Sequence, residues 1–167
     1  SSIMTTTGFG ISDFNLWPQF ARTLLLILMF CGAMAGGTGG GFKTARILIL
    51  GKIIKNGMHR LLHPRSVKAV KVNGKALPDD VILRTLVYLA VYVALMLGVM
   101  LVISVDGLSL EANFSASVSC LNNIGPGLGE VGPASNYAAY SAFSKLVLAL
   151  TMLLGRLEIF PILLLIM

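Results

Sequence analysis

Charged side chains are scarce in this sequence. Lys, Arg, Asp and Glu make up 12% of the 167 residues and apolar residues make up 56%, whereas soluble domains carry about a quarter charged residues. This composition argues against an ordinary soluble domain and predicts a membrane protein. No signal peptide is visible in the sequence as given, because it opens at SSIMTTTGFG rather than with a basic and an apolar region, and we expect none in this stretch. Since the chain also ends within the apolar run FPILLLIM, we expect a fragment of a longer polypeptide.

Cysteine and histidine are equally rare, at two residues each. Cys31 and Cys120 lie in apolar contexts without motif spacing, which predicts small buried side chains rather than a disulfide or a metal site. His59 and His63 flank a polar stretch and are expected to be solvated. The sequence contains no Ser/His/Asp set and no ligand cluster. We therefore expect no enzyme activity and no cofactor.

Acidic residues are absent between Lys43 and Lys75, a stretch that holds nine basic residues. The other long polar stretch, 105–144, contains acidic residues and no basic one. By the positive-inside rule, this asymmetry predicts that 43–80 is cytoplasmic and that 105–144 is outside. Aromatic side chains are also absent from 52–80, so the basic stretch lacks the stacking surfaces of a nucleic-acid-binding segment.

The apolar segments predict repeated crossings of a bilayer, each of which takes about 20 helical residues. The chain crosses inward over 20–35 and 42–54, returns over 81–105 and crosses inward again over 144–167. Residues 110–121 form a semi-polar segment that is too short to span and has both ends on the outer side. We therefore expect a re-entrant half-helix, which is tolerated only where protein buries it or water lines it.

Two short polar runs that end in glycine stand before inward-crossing helices. They align as Thr5, Thr6, Thr7 and Gly8 over Asn122, Asn123, Ile124 and Gly125. Glycine admits backbone angles that other residues resist, and an extended strand can turn successive carbonyls toward an axis, where they replace the hydration water of a monovalent cation. The pair therefore predicts two filter strands of a repeated unit. The alternative is that both runs are surface turns.

Four longer motifs occur in the order MTTTGFGISDFNLWP, GGTGGGFKTARILIL, LNNIGPGLG and MLLGRLEIF. Together they resemble the TrkH branch of the TrkH/TrkG/KtrB potassium uptake proteins. The resemblance implies an all-α membrane protein of membrane-pore-membrane repeats, with re-entrant pore half-helices and filter strands around a pseudo-fourfold, channel-like pore. It also implies that potassium, the transported substrate, is bound by backbone carbonyls of residues 5–8 and 122–125. The second strand departs from a Thr-Val-Gly-Tyr-Gly channel filter, because Asn and Ile replace Thr and Val.

By this resemblance the chain holds the end of a third pore repeat, a cytoplasmic basic linker and a fourth pore repeat. The expected bounds of these three parts are 1–57, 58–80 and 81–167. Within the fourth repeat we expect a pore half-helix at 110–121, a filter at 122–127 and an inner helix at 144–167.

A glycine-rich run interrupts the apolar segment after residue 35. Its backbone groups can stay unpaired only in a wet cavity lined by protein. The resemblance implies an intramembrane gating loop formed by Gly36, Gly37, Thr38, Gly39, Gly40 and Gly41. One alternative is a small-residue face for close helix packing. Another is a phosphate-binding loop, but Phe42 stands where that motif needs glycine.

Arg156 and Glu158 lie deep in an apolar run, where an ionised side chain is costly. Because their spacing places them on different helix faces, each needs another partner. The resemblance implies that Arg156 lies beneath the pore beside the gating loop. The alternative is that both charges are structural ties to loop carbonyls or to Lys43 and Arg46.

The sequence thus predicts a potassium uptake channel or symporter, multi-pass in the cytoplasmic (inner) membrane of a bacterium or archaeon. The alternatives are a non-conducting membrane scaffold with glycine-mediated helix packing and a related carrier for sodium or ammonium. The resemblance implies a homodimer with a nucleotide-binding regulatory subunit similar to TrkA on its cytoplasmic face. The basic stretch 52–75 could dock that subunit or contact anionic lipid head groups. We expect no nucleic acid partner.

Overall fold

The fold is helical, as the sequence predicts. A computed structural model of the chain describes residues 2–10, 12–30, 43–63, 71–72 and 75–156. Within them the helices are α1 (Gln19–Phe30), α2 (Thr44–Leu62), α3 (Asp79–Ile103), α4 (Leu110–Leu121) and α5 (Ala142–Arg156). Two short antiparallel strands form a hairpin, β1 (Lys71–Val72) and β2 (Lys75–Ala76). Single 3-10 turns lie at Phe14–Leu16, Ser104–Asp106, Gly129–Val131 and Tyr137–Ala139.

Among the described helices, α3 is the one that is long and apolar enough to cross a membrane. Its 25 residues extend over about 37 Å, against about 30 Å of bilayer hydrocarbon. The helix begins after Pro78. Asp79 and Asp80 lie in its first turn, where their negative charges interact favourably with the positive end of the helix dipole. At the other end a 3-10 turn leads to Gly107, whose left-handed φ of 72° terminates the helix. The prediction of one long helix over 81–105 is confirmed.

The second helix, α2, extends further than predicted. The apolar pattern ended at Ile54 and placed the start of the linker at residue 58, but the helix continues to Leu62. Its last turns are largely exposed and mix polar with apolar residues, so no continuous apolar run marked them as helical. Between Thr44 and Leu62 the sequence holds no proline, and Pro64 comes next; a proline disfavours helix at the residue that precedes it. The basic stretch therefore begins as a helix and not as a linker.

The short helix α4 has the predicted bounds, Leu110–Leu121. Its N-cap is Ser109, whose Oγ accepts a hydrogen bond from Ala112 N at 3.3 Å. Glu111 in the first turn adds a favourable charge to the positive end of the helix dipole. Nine of its twelve residues are buried, and three of the nine are serines. A helix this short and this enclosed has its polar groups covered by protein, as re-entrant structure requires.

The helices α1, α3 and α5 pack around α4. One core cluster joins α1, α3 and α4 and includes Met29, Tyr92 and Val118. A second cluster includes Ala116 of α4 and Leu148 of α5. Because both clusters share α4, the direction in which this helix ends is fixed from two sides.

The described part of α5 covers the first half of the predicted inner helix 144–167, and residues 157–167 lie outside the described residues. Gly155 brings α5 against the end of α4, since a Cβ at this position would collide with the carbonyl oxygen of Leu121. Close approach through glycine is typical of helix contacts in membrane proteins. The helix α5 therefore runs directly beside the start of the second polar run.

Candidate functional site

The second polar run begins where α4 ends. Asn123 N donates to Cys120 O at 3.1 Å, and Ile124 N donates to Ser119 O at 2.9 Å. These two bonds form the Schellman pattern of a helix end, in which the residue after the cap adopts left-handed backbone. Asn123 takes that position with a φ of 56°. The chain is thereby turned sharply out of the helix.

The first polar run follows the same path. Thr6 N donates to Ile3 O at 3.2 Å, and Thr7 N donates to Ser2 O at 2.9 Å. Thr6 occupies the left-handed position, with a φ of 54°. Each of these residues is the counterpart of one at the end of α4 in the alignment of the two runs. Residues 2–5 therefore have the geometry of a last helical turn.

The two glycines of the alignment also match. Gly8 has a φ of 77° and Gly125 a φ of 106°, values that favour glycine. Among the described residues, Thr6 and Asn123 are the only non-glycine residues with positive φ. Sparsely populated backbone conformations cluster at functional sites. The matched pairs therefore single out these two runs within the described chain.

The two runs contact each other. A Cβ built on Gly8 would collide with the carbonyl oxygen of Ile124 and would lie 3.3 Å from Pro126 Cδ. The backbones of Gly8 and Ile124 are thus so close that no side chain fits at position 8. At Gly125, by contrast, no described atom lies within 4 Å of such a Cβ.

The carbonyl groups that follow α4 differ in their partners. Three of those after residue 124 are held by hydroxyl groups: Gly125 O accepts from Tyr137 Oη at 2.7 Å, Pro126 O from Ser119 Oγ at 2.9 Å and Leu128 O from Ser115 Oγ at 3.3 Å. Among the described residues, no donor bonds the carbonyl oxygens of Asn122, Asn123 and Ile124. Buried carbonyls are normally paired. Three successive unpaired ones suit a place where a cation or water supplies the partner.

The side chain of Asn122 is fully buried and engaged by the protein. Its Nδ2 donates to Met29 O at 2.6 Å, and its Oδ1 accepts from Tyr92 Oη at 3.0 Å. Met29 lies in the last turn of α1, where carbonyls have no partner within the helix. Asn122 thus ties α1, α3 and the end of α4 together. The backbone carbonyl of Asn122, and not its side-chain amide, is available to an ion.

Neighbouring elements hold the flanks of both runs. Asn15, which follows the first run, forms two hydrogen bonds with Gly129. Its Nδ2 donates to the carbonyl oxygen of Gly129 at 2.9 Å, and the backbone N–H of Gly129 donates to Oδ1 of Asn15 at 2.8 Å. Arg22 of α1 forms an ion pair with Glu111 at the start of α4. The two runs are therefore joined on their outer side as well as at their point of contact.

Two tyrosines stack beside the second run. The ring centroids of Tyr137 and Tyr140 are 6.0 Å apart. Burial raises the pKa of Tyr137 far above its ordinary value and the pKa of Tyr140 to about 12. Both hydroxyls are therefore protonated at neutral pH and act as donors. Tyr140 Oη donates to Asn113 Oδ1 at 2.9 Å.

The predicted gating residues are only partly described. Residues 36–41 and Glu158 lie outside the described residues. Arg156 is the last described residue of α5 and is exposed. Arg46, one of the suggested partners for the intramembrane charges, lies over the ring of Tyr88, with its Cζ 3.9 Å from the ring centroid.

The rare cysteine and histidine side chains form no cluster in the described part of the chain. Cys120 is buried with a free thiol, as predicted, and Cys31 lies outside the described residues. His59 and His63 face each other with ring centroids 5.0 Å apart. Groups of three or more potential metal ligands are absent from the residues described.

Sequence reasoning did not find the side chains that hold the second run. Ser115 and Ser119 stand one helical turn apart in an enclosed apolar helix, and this spacing of hydroxyls was a usable signal. Tyr92 and Tyr137 carry no such signal, because their partners lie 30 and 12 residues away in the sequence.

This sequence is similar to those of known proteins. A family profile described as "TrkH: Cation transport protein" matches residues 1–167. The chain is 43% identical over 164 residues to the Trk system potassium uptake protein TrkH of Vibrio parahaemolyticus. The matched segment covers 98% of this chain and 33% of that protein. It is 38% identical over 164 residues to the protein of the same name from Escherichia coli K12, which covers 98% of this chain and 34% of that protein.

A solved structure shares the fold. The crystal structure of the potassium transporter TrkH from Vibrio parahaemolyticus matches with a TM-score of 0.89 and 42% identity, over 99% of this chain and 35% of that chain. The chain thus spans about a third of the length of these relatives. Since the family profile covers every residue, the chain belongs to the TrkH family of cation transport proteins, which are membrane transporters and not enzymes.

Proposed function

We propose that the protein of which this chain is part takes up potassium ions across the cytoplasmic membrane of a bacterium or archaeon. Its relatives are named potassium uptake proteins, and this chain corresponds to about a third of them. Within this chain, the observation that best supports the proposal is the matched left-handed backbone of the two polar runs. The second run adds three successive carbonyls without a donor among the described residues.

The proposed filter consists of residues 5–8 and 122–125, with potassium, the substrate, bound by backbone carbonyls. Oxygen atoms must replace the hydration shell that the ion gives up. The contact of Gly8 with Ile124 supports a shared axis for the two runs. Two strands cannot surround an ion, so the others would come from the rest of the protein around a pseudo-fourfold axis.

The orientation of α4 favours a cation at this place. The C-terminal end of the helix leads directly into the second run. The C-terminal end of a helix carries partial negative charge on its unpaired carbonyls and so stabilises a cation. This supports residues 110–121 as a pore half-helix within a fourth repeat, 81–167, that follows the end of a third repeat, 1–57. The basic segment 58–80 would lie between them.

The proposed gate lies beneath the filter and consists of residues 36–41 together with Arg156. The contact of Gly155 with Leu121 supports this location for Arg156, because it brings the adjacent part of α5 to the start of the second run. A guanidinium group in a narrow passage repels a cation, and it can be withdrawn if its partners move.

The proposed assembly is a homodimer that binds a nucleotide-binding regulatory subunit similar to TrkA. The basic stretch that includes the exposed end of α2 supports a cytoplasmic docking face for an acidic partner surface or for lipid head groups. No cofactor is part of the proposal.

Rubidium flux into vesicles that contain the full-length protein tests this function. We expect uptake that potassium competes away and that sodium and ammonium compete away poorly. A scaffold would pass no rubidium, and a sodium or ammonium carrier would show the reverse order of competition. Either result contradicts the proposal.

A further inference from the structure

We propose that the hydroxyl groups of Tyr92 and Tyr137 are positioning groups that set the preference for potassium over sodium. The inference rests on the proposed function. Each hydroxyl holds one end of the second polar run from the side of the surrounding protein, and the three carbonyls without donors lie between the two ends.

At the first end, Tyr92 acts through Asn122. Both side chains are buried, and the Oη–Oδ1 hydrogen bond between them is 3.0 Å long. The amide of Asn122 is held at the same time by Met29 O. An amide held on both of its polar atoms restrains the side chain of Asn122, and through it the backbone at the start of the run.

At the second end, Tyr137 donates directly to the carbonyl oxygen of Gly125 at 2.7 Å. This bond fixes the peptide plane between Gly125 and Pro126, at a glycine whose φ of 106° leaves the backbone few other restraints. No Cβ and no described atom packs against this position from the open side. The tyrosine hydroxyl is therefore the one side-chain group that a described residue bonds to the carbonyl of Gly125.

A strand held at both ends keeps its carbonyls at a set spacing. Selection between two monovalent cations depends on the size of the oxygen cage and on the number and strength of its carbonyl dipoles. Loss of either restraint lets the strand relax around the smaller ion. Selection should therefore weaken without loss of transport.

The chain contains a matched control at the other end of α4. Tyr140 Oη donates to Asn113 Oδ1 at 2.9 Å, and the amide of Asn113 donates to Leu108 O at 3.2 Å. This arrangement repeats the chemistry of Tyr92 and Asn122, with both side chains buried, at the start of α4 instead of its end. A phenylalanine at position 140 keeps the ring that stacks on Tyr137 and removes the equivalent bond at the start of α4, away from the ends of the second run.

The test measures the competition of sodium with rubidium uptake for three variants of the full-length protein, Tyr92→Phe, Tyr137→Phe and Tyr140→Phe. The amount of protein in the membrane is measured in parallel. We expect Tyr92→Phe and Tyr137→Phe each to lower the preference for potassium about fivefold, the factor to which one hydrogen bond of about 1 kcal/mol corresponds. Tyr140→Phe should keep the preference of the unchanged protein.

Two results would overturn the inference. One is an unchanged preference in the two filter-side variants, and the other is an equal loss in Tyr140→Phe, which would show a general effect of instability. The two filter-side variants act independently, so if one fails to accumulate in the membrane the other decides. Absence of flux in the unchanged protein would instead contradict the proposed function.

Discussion

The contact between the two polar runs predicts a specific defect for the replacement of Gly8 by alanine. Gly8 has left-handed backbone, and the added methyl group would collide with the carbonyl oxygen of Ile124. That carbonyl belongs to the set without a donor among the described residues. The replacement should therefore displace a proposed ion ligand directly.

Gly107 provides a control for the backbone cost. Its φ of 72° is close to the 77° of Gly8, but no described atom lies within 4 Å of a Cβ placed there. Both alanine variants carry the left-handed penalty of about 1–2 kcal/mol. The Gly8 variant carries in addition an overpacking cost of about 1–3 kcal/mol. The difference between the two variants isolates the contact with Ile124.

Thermal unfolding in detergent and rubidium uptake with sodium competition measure the two effects on the full-length protein. We expect Gly107→Ala to lower stability slightly and to keep the preference for potassium. Gly8→Ala should lower stability further and weaken the preference. Equal behaviour of the two variants would refute the reasoning, because it would show that the contact between the runs has no role.

Three further predictions concern the surroundings of the site. Replacement of Glu111 by Gln removes its ion pair with Arg22. A double-mutant cycle that combines this change with a replacement of Arg22 should give a coupling free energy between the two residues of about 1 kcal/mol in thermal stability, and zero coupling would contradict this. A membrane-impermeant lysine reagent should label the exposed Lys71 only after the membrane is opened, and labelling from outside intact cells would overturn the predicted topology. Because burial raises the pKa of Tyr140 from 10 to about 12, its contribution to stability is present below pH 10 and is lost as the pH rises to about 12; Tyr140→Phe should remove this part of the pH profile.

Local patterns were sufficient to predict the elements that frame the site. The semi-polar composition and length of 110–121 gave a helix with the observed bounds, and the apolar run 81–105 gave the long helix α3. The alignment of the two polar runs also anticipated that they share one backbone path. These features depend on residues close together in the sequence, so the pattern carries them. The exposed end of α2 and the short hairpin of β1 and β2 were missed, because hydrophobicity reports neither an exposed helix nor a two-residue strand.

The contacts that fix the site were beyond local patterns. Asn122 bonds Met29, which is 93 residues away, and Asn15 bonds Gly129, which is 114 residues away. Such pairs depend on the tertiary packing of segments that are distant in the sequence, and neither residue type indicates which partner it will have. The sequence assigned Asn122 to the filter because of its position. The structure adds that its side chain supports the strand, while its backbone carbonyl has no donor among the described residues.

The position of α5 leads to a prediction for Arg156. Gly155 lies against Leu121, the residue before the second run, and Arg156 follows it along α5, so we expect the guanidinium of Arg156 near the start of that run. A guanidinium and a potassium ion about 5 Å apart repel by about 3 kcal/mol at an effective dielectric constant of about 20. This corresponds to about a hundredfold lower occupancy of the ion. Arg156 can therefore supply a large part of a closed gate.

If residues 36–41 supply the rest of the same gate, the two parts are not independent. Arg156→Ala and a shortened 36–41 segment should each raise the resting flux of rubidium through the full-length protein. The double variant should raise it by less than the sum of the two effects in free energy, because each change removes part of one shared barrier. Strict additivity would show two separate obstacles. An unchanged resting flux in Arg156→Ala, with normal amounts of protein in the membrane, would show that the arginine is a structural tie, since a charge that leaves ion flux unaltered does not face the path.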